Sequence, residues 1–172
     1  MARIKRPTIT PEQRDTVLGR FRGSNPSRGP NKPCTDGELI KLTAADGVSV
    51  LGPAPSSDPV IGKPAKSQDD KAQNTHLWVI DSDRLPYILE APVATLGAIP
   101  KHSNLANSAH VAGEAWFIND KSIIISGASG RFPPRSPAEL EGATEVFAAF
   151  AYRTQSLGWD YETNTAFRFQ IG

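Results

Sequence analysis

Two apolar runs, residues 115–118 and 122–125, flank the polar triplet Asn119-Asp120-Lys121. Asn and Asp tolerate left-handed backbone angles, so the pattern predicts a tight hairpin loop between two strands. Pairing Ile118 with Ser122 and counting back along the ladder sets Glu114 opposite Ser126, and directly paired side chains share a face. Upstream, the run His76-Leu77-Trp78-Val79-Ile80 predicts a strand ended by Asp81-Ser82-Asp83. Residues 85–89 return antiparallel to it, with Pro86 confining them to an edge or a bulge. Downstream, Ser136-Pro137-Ala138-Glu139 is a helix start with a capping serine and proline at the first position. Leu140, Ala143, Phe147, Phe150 and Ala151 then recur at helical spacing, which gives a face suited to cover a sheet. Residues 156–160 and 165–171 read as last strands joined near residues 162–164.

The first 75 residues have a different texture. Thr10-Pro11-Glu12-Gln13 has capping-box spacing, and the helix it opens runs to about Arg22 with Val17, Leu18 and Phe21 as a narrow apolar stripe. So short a helix is marginal alone and must dock, with its own body favoured over a partner. Residues 23–36 read as a turn-rich linker. Residues 38–51 alternate weakly around Asp46-Gly47 and predict two short strands. Residues 52–74, with four prolines and then a charged run, read as an extended connector. The class is α+β: a small antiparallel sheet with one amphipathic helix packed on a face, preceded by a Pro-rich basic extension. The boundary falls between an extension, 1–74, and a compact domain, 75–172.

Composition sharpens this division. All three Trp and all three Tyr lie in the last hundred residues or so, and the 15 prolines crowd the earlier part. The net charge of +1 conceals eight basic against two acidic residues over 1–33, and eleven against sixteen beyond. A basic arm on an acidic body fits nucleic acid or another polyanion; a solvated terminus is the alternative. Cys34 is the single cysteine, which excludes an internal disulfide. No apolar run reaches the roughly 18 residues of a membrane span, and no secretory pattern opens the chain, so no membrane association and a cytoplasmic setting are expected.

Candidate chemistry gathers at the open end of the predicted hairpin. His102 lies in a polar loop and has an ordinary pKa near neutrality, which suits proton transfer; a turn residue is the alternative. Glu114 opens an otherwise apolar strand, where burial would raise it toward general-base range; an edge charge against aggregation is the alternative. Ser126-Gly127-Ala128-Ser129-Gly130-Arg131 has the make-up of a small anion cradle, with Ser103, Ser126 and Ser129 as donors and Arg131 and Arg135 as forks. It lacks the Gly-Lys-Ser/Thr end of a nucleotide-binding P-loop. His76, His102 and His110 have no metal-ligand spacing, so neither metal nor cofactor is expected.

The segment HSNLANSAHVAGEAWF followed by SGASGRFPP resembles the H-S-S-F, A-A-G, S-G-H-Y-x-P module of plant IQ-motif calmodulin-binding proteins and of uncharacterised bacterial and fungal proteins. The resemblance spans roughly residues 75–155 and rests on His102-Ser103, Ala112-Gly113, Ser129-Gly130 and Pro134. Arg131-Phe132 stands in place of His-Tyr, and Asn104-Leu105 in place of Ser-Phe. The resemblance implies a fold unit rather than a reaction. From the residues themselves, the leading expectation is binding of a phosphorylated or nucleotide-like anion, with hydrolysis or transfer, in which His102 moves the proton. Histidine, glutamate and arginine on a small sheet are also the residue types of the microbial ribonucleases, an analogy of composition rather than motif. The competing class is a non-catalytic protein interaction module whose basic arm holds an anionic partner.

Overall fold

The computed structural model describes residues 9–51 and 59–168. Within them three helices and eight strands make an α+β fold: α1 (Pro11–Ser24), β1 (Ser49–Val50), α2 (Gln68–Asn74), β2 (His76–Ile80), β3 (Pro86–Leu89), β4 (Val111–Asn119), β5 (Ser122–Ser126), α3 (Pro137–Ala149), β6 (Arg153–Ser156), β7 (Trp159–Asp160) and β8 (Thr165–Ala166). Six strands form one sheet in the order β1-β3-β2-β4-β5-β6, while β7 and β8 pair separately. The large sheet is antiparallel except at its β5–β6 edge, where the strands run parallel. A parallel pair needs a crossover, and α3 provides it.

The hairpin count holds where it matters. Glu114 faces Ser126, and the register continues to Phe117 opposite Ile123. At the tip Ser122 pairs with Asn119 rather than Ile118, so one extra residue is accommodated as an irregularity next to the turn. Gly113 is required for this close approach: a Cβ there would fall 1.9 Å from the Ser126 carbonyl oxygen and 2.7 Å from the Trp78 ring.

Both faces of the sheet are covered, which explains why every residue of β2 is buried instead of alternating. Trp78, Ile80, Val111, Ala115, Phe117, Ile123 and Ile125 point to one side and meet Val146 and Phe147 of α3 and Leu18 and Phe21 of α1. Phe147 stands edge-on to Trp78 with ring centroids 5.0 Å apart. Leu77, Val79, Ile88 and Ala112 point to the other side. There no α-helix residue among the described ones joins this cluster; Leu42, Val48, Leu105, Ala106 and Phe132, from loops and beside the short 3-10 turn at His102–Asn104, cover them.

The region before residue 75 is woven into this core. Thr10 and Gln13 close the expected capping box, and Phe21 packs against α3 where Gly142 leaves room, a Cβ there falling 3.0 Å from the ring. Residues 23–36 are not a free linker. Arg28 and Ala109 exchange backbone hydrogen bonds, the Asn31 amide donates to the Arg131 carbonyl, and His110 meets the Asn25 carbonyl. Of the two strands expected around Asp46-Gly47, Ser49–Val50 forms. The residues before Asp46-Gly47 instead close a 3-10 turn that ends at Gly47 with φ of 96°, because Asp46 caps Thr43 locally. The connector expected over 52–74 contains α2, nucleated by Ser67 accepting from the Asp70 amide. Residues 153–156 were not foreseen as a strand; they add in parallel to β5. Residues 52–58, the end of the last expected strand at 169–171, and Arg3, Lys5 and Arg6 of the basic arm lie outside the described residues. No helix among the described residues is long and apolar enough to cross a membrane.

Candidate functional site: a cleft at the hairpin mouth

The loop-covered face of the sheet has a geometric debt. Loops leave backbone N–H and C=O groups without regular partners, so polar side chains must supply them. Asn104 is the clearest instance. Its amide nitrogen donates to the Gly37 and Ile40 carbonyls at 3.0 and 2.8 Å, and its side-chain oxygen accepts from the Lys101 amide at 2.8 Å.

His102 belongs to the same scaffold. Its Nε2 lies 2.8 Å from the Gly113 carbonyl oxygen and its Nδ1 lies 3.1 Å from the Ser129 hydroxyl. A carbonyl can only accept, so Nε2 carries the proton and Nδ1 accepts from Ser129. The Ser129 oxygen in turn accepts the Arg131 and Phe132 amides at 3.2 and 3.0 Å. This chain ties the loop before β4, the strand itself and the loop after β5 together. Burial drives the His102 pKa down to about 4, against the help of the Gly113 bond. The ring is therefore neutral at pH 7 with both nitrogens engaged, and it braces the loops. His102, Gly113 and Ser129, three of the residues that carry the sequence resemblance, are thus joined through this imidazole.

Next to that brace lies a cavity of about 160 Å³ lined by Lys71, Glu90, Lys101, His102, Glu114, Ser129 and Arg168, among others. His102, Glu114 and Ser129 are brought together as the pairing count implied. Glu114 does not act alone: Lys71, from α2, sits 3.2 Å from Glu114 and 3.4 Å from Glu90. Burial, then the neighbouring Glu114 carboxylate, push the Glu90 pKa up to about 7 against the pull of Lys71 and Lys101. For Lys71, burial lowers the pKa, but the two carboxylates outweigh it and hold the ammonium above its ordinary value. The second Glu90 oxygen, Oε2, is buried and has no hydrogen-bond partner among the described residues.

The other expected anion ligands lie away from this cavity, three of them with partners of their own. Arg131 pairs with Glu38, and Arg135 pairs with buried Glu139 at 2.9 Å while donating to the Pro26 carbonyl. Ser126 accepts the Ala128 amide. Ser103 is buried with its hydroxyl unpartnered among the described residues, and its backbone carbonyl accepts from Lys41 at 3.1 Å. None of these four lines the cavity. The loop they were assigned to does border a second, larger cavity of about 420 Å³, lined by Asn31, Lys32, Gly127, Ser129, Gly130 and Arg168 with neighbouring prolines. Ser129, Gly130 and Arg168 line both cavities, so the 127–130 loop is a saddle between a smaller and a larger chamber. Gly127 is needed there because a Cβ would fall 2.5 Å from Pro134 and 2.6 Å from Ala166.

Lys71, Glu90, Lys101 and Arg168 escaped the sequence reading, and Lys32 entered it only as part of the basic arm. Counting the antiparallel return of β3 onto β2 sets Leu89 against His76, which carries Glu90 to the same end of the sheet as Glu114. The Ser67-x-x-Asp70 spacing was the available sign of the helix that carries Lys71. Among the described residues, no three His, Cys, Asp or Glu side chains converge as metal ligands. Comparison with protein-family models, curated proteins and solved structures gave no match to this chain.

Proposed function

We propose that the two-chambered cleft binds a small phosphorylated or nucleotide-like anion, with the 127–130 saddle under the middle of the ligand. The observation that carries this reading is the charge balance of the lining. Lys32, Lys71, Lys101 and Arg168 face two carboxylates, Glu90 and Glu114, an excess of two positive charges. Lys71 is taken up by both glutamates, while Lys32, Lys101 and Arg168 have no ion-pair partner among the described residues. Three unneutralised cations around one concave surface attract an anion with several oxygens. The shape, a small chamber adjoining a larger one, suits a phosphate ester with an attached organic group better than a long polymer. The polyanion reading of the N-terminal arm has weaker support. Arg22 donates to the Asp81 carbonyl at 2.8 Å, Arg28 to the Pro133 carbonyl, and Arg14 stacks 5.2 Å over the Phe150 ring.

Calorimetric titration of the full chain with inorganic phosphate, AMP, ADP and a short RNA tests this. Wild type is expected to bind the mononucleotides. Arg168→Ala and Lys101→Ala each weaken them about tenfold or more, the size of one charge-assisted contact. Arg131→Ala leaves affinity unchanged, because its guanidinium is held by Glu38. Absence of binding to every phosphate compound, or equal affinity in the Arg168→Ala protein, overturns the reading; tight binding of RNA alone favours the polyanion alternative.

A further inference from the structure

We infer that the cleft takes up its anion together with one proton, and that the proton resides on Glu90. This rests on the anion-binding reading of the cleft and names the group that makes that binding respond to pH.

The geometry sets up a shortage of positive charge at one place. A single ammonium, Lys71 Nζ, serves two carboxylates at 3.2 and 3.4 Å. Glu90 reaches it through Oε1, while Oε2 is buried without a partner among the described residues. A buried carboxylate oxygen lacking any donor is costly when ionised. A proton on the same oxygen removes that charge from the wall of the chamber that receives the anion. One proton therefore relieves the crowding of two carboxylates and removes the repulsion between Glu90 and an anion in the chamber.

The groups facing Glu90 come from every element around the smaller chamber. Lys71 faces it from α2, Glu114 from β4, Lys101 and neutral His102 from the loop before β4, and Arg168 from the segment after β8. Lys101 and Lys71 favour the ionised form, whereas burial and Glu114 oppose it and prevail. An anion entering the chamber adds negative charge on the side of Glu114 in this balance. It drives protonation further in the direction the empty site already leans, and by linkage protonation strengthens anion binding. Glu114 acts here as a positioning residue: it stays on Lys71 and raises the proton affinity of its neighbour.

Titration of the full chain with AMP at about pH 8, in buffers of different ionisation enthalpy, reads the proton directly. At that pH the phosphate monoester, with its second pKa near 6, is already a dianion, so it neither gains nor loses the proton being counted. The wild type is expected to take up close to one proton per AMP bound, and its affinity falls toward tenfold per pH unit above neutrality. Glu90→Gln keeps the side-chain shape and one donor, binds without proton uptake, and loses that pH dependence. Glu114→Gln moves the onset of the fall to lower pH, because the repulsion that raises Glu90 is gone. Binding by wild type without proton uptake, or the same uptake in Glu90→Gln, overturns the inference while leaving the anion site standing. Failure of AMP, ADP and inorganic phosphate to bind at any pH between about 5 and 9 overturns the site and the inference together.

Discussion

Replacing Glu90 by Gln should stabilise the ligand-free protein above neutral pH and change it little near pH 4. The carboxyl has an ordinary value of 4.5 and is pushed up to about 7 in the folded chain. Between these two values the folded protein holds a proton that the unfolded chain has released, so stability falls as pH rises through that window. Above pH 7 both states are ionised and the folded state bears the full cost of the charge. A shift of that size corresponds to roughly 3 kcal/mol. The Glu90 side chain keeps 13 % exposure beside an open cavity, and solvent screening there reduces the expectation to about 2 kcal/mol. For a chain of this length that raises Tm by roughly 4–8 °C. Urea denaturation followed by tryptophan fluorescence measures it well, because Trp78 and Trp116 are fully buried. Other titrating groups, His76 and His102 included, are common to both proteins and drop out of the difference. A gain equal at about pH 4 and pH 8 would refute the reasoning, as would a variant that loses stability relative to wild type as pH rises.

Two further outcomes concern the scaffold. Phe21→Ala should cost about 3–4 kcal/mol, the usual loss for a buried aromatic. Phe21 is 5 % exposed and packs on Gly142, so deleting residues 1–33 is expected to leave an exposed face on α3 and a protein that unfolds at markedly lower urea; an unchanged midpoint would show that α1 is dispensable. His102→Ala should cost about 3 kcal/mol through the cavity it leaves and the two unpaired polar partners, Gly113 and Ser129. Folded-state values of about 4 for His76 and His102 mean that their contribution is present above pH 6.5 and is lost as pH falls toward 4. The variant should accordingly lose less stability than wild type between pH 6.5 and 4, measured by urea midpoints across that range.

The elements that short-range physics specifies were readable in the sequence. The Thr10 and Ser136 caps, the β2 run and the Glu114–Ser126 register each follow from neighbours in the chain, and each is present. What the sequence obscured depends on contacts between distant segments. Residues 23–36 have a linker's composition, yet they are held because Ala109, His110 and Arg131 offer them partners. β6 consists of Arg-Thr-Gln-Ser, with no apolar alternation to reveal it; its pairing is set by α3 returning the chain to β5. Residue type alone likewise does not separate Arg131 from Arg168, since one has Glu38 within reach and the other has no ion-pair partner among the described residues.

That difference supplies a rule for reading the whole loop-covered face. A face covered by helices brings its own backbone hydrogen bonds; a face covered by loops recruits side chains for them. His102, Asn104, Ser126 and Ser129 all sit on this face, and each hydrogen-bonds at least one backbone group. Their polarity is thus accounted for before any ligand is considered. Apart from the buried Ser103 hydroxyl, which lines neither chamber, the groups whose capacity is not filled are the Lys32, Lys101 and Arg168 charges and one oxygen of Glu90. They line adjoining chambers that meet over Gly130, a position where an added Cβ would touch nothing within 4 Å. Unfilled capacity, rather than chemical reputation, therefore moves the candidate site from histidine and Arg131 to Glu90 and Arg168.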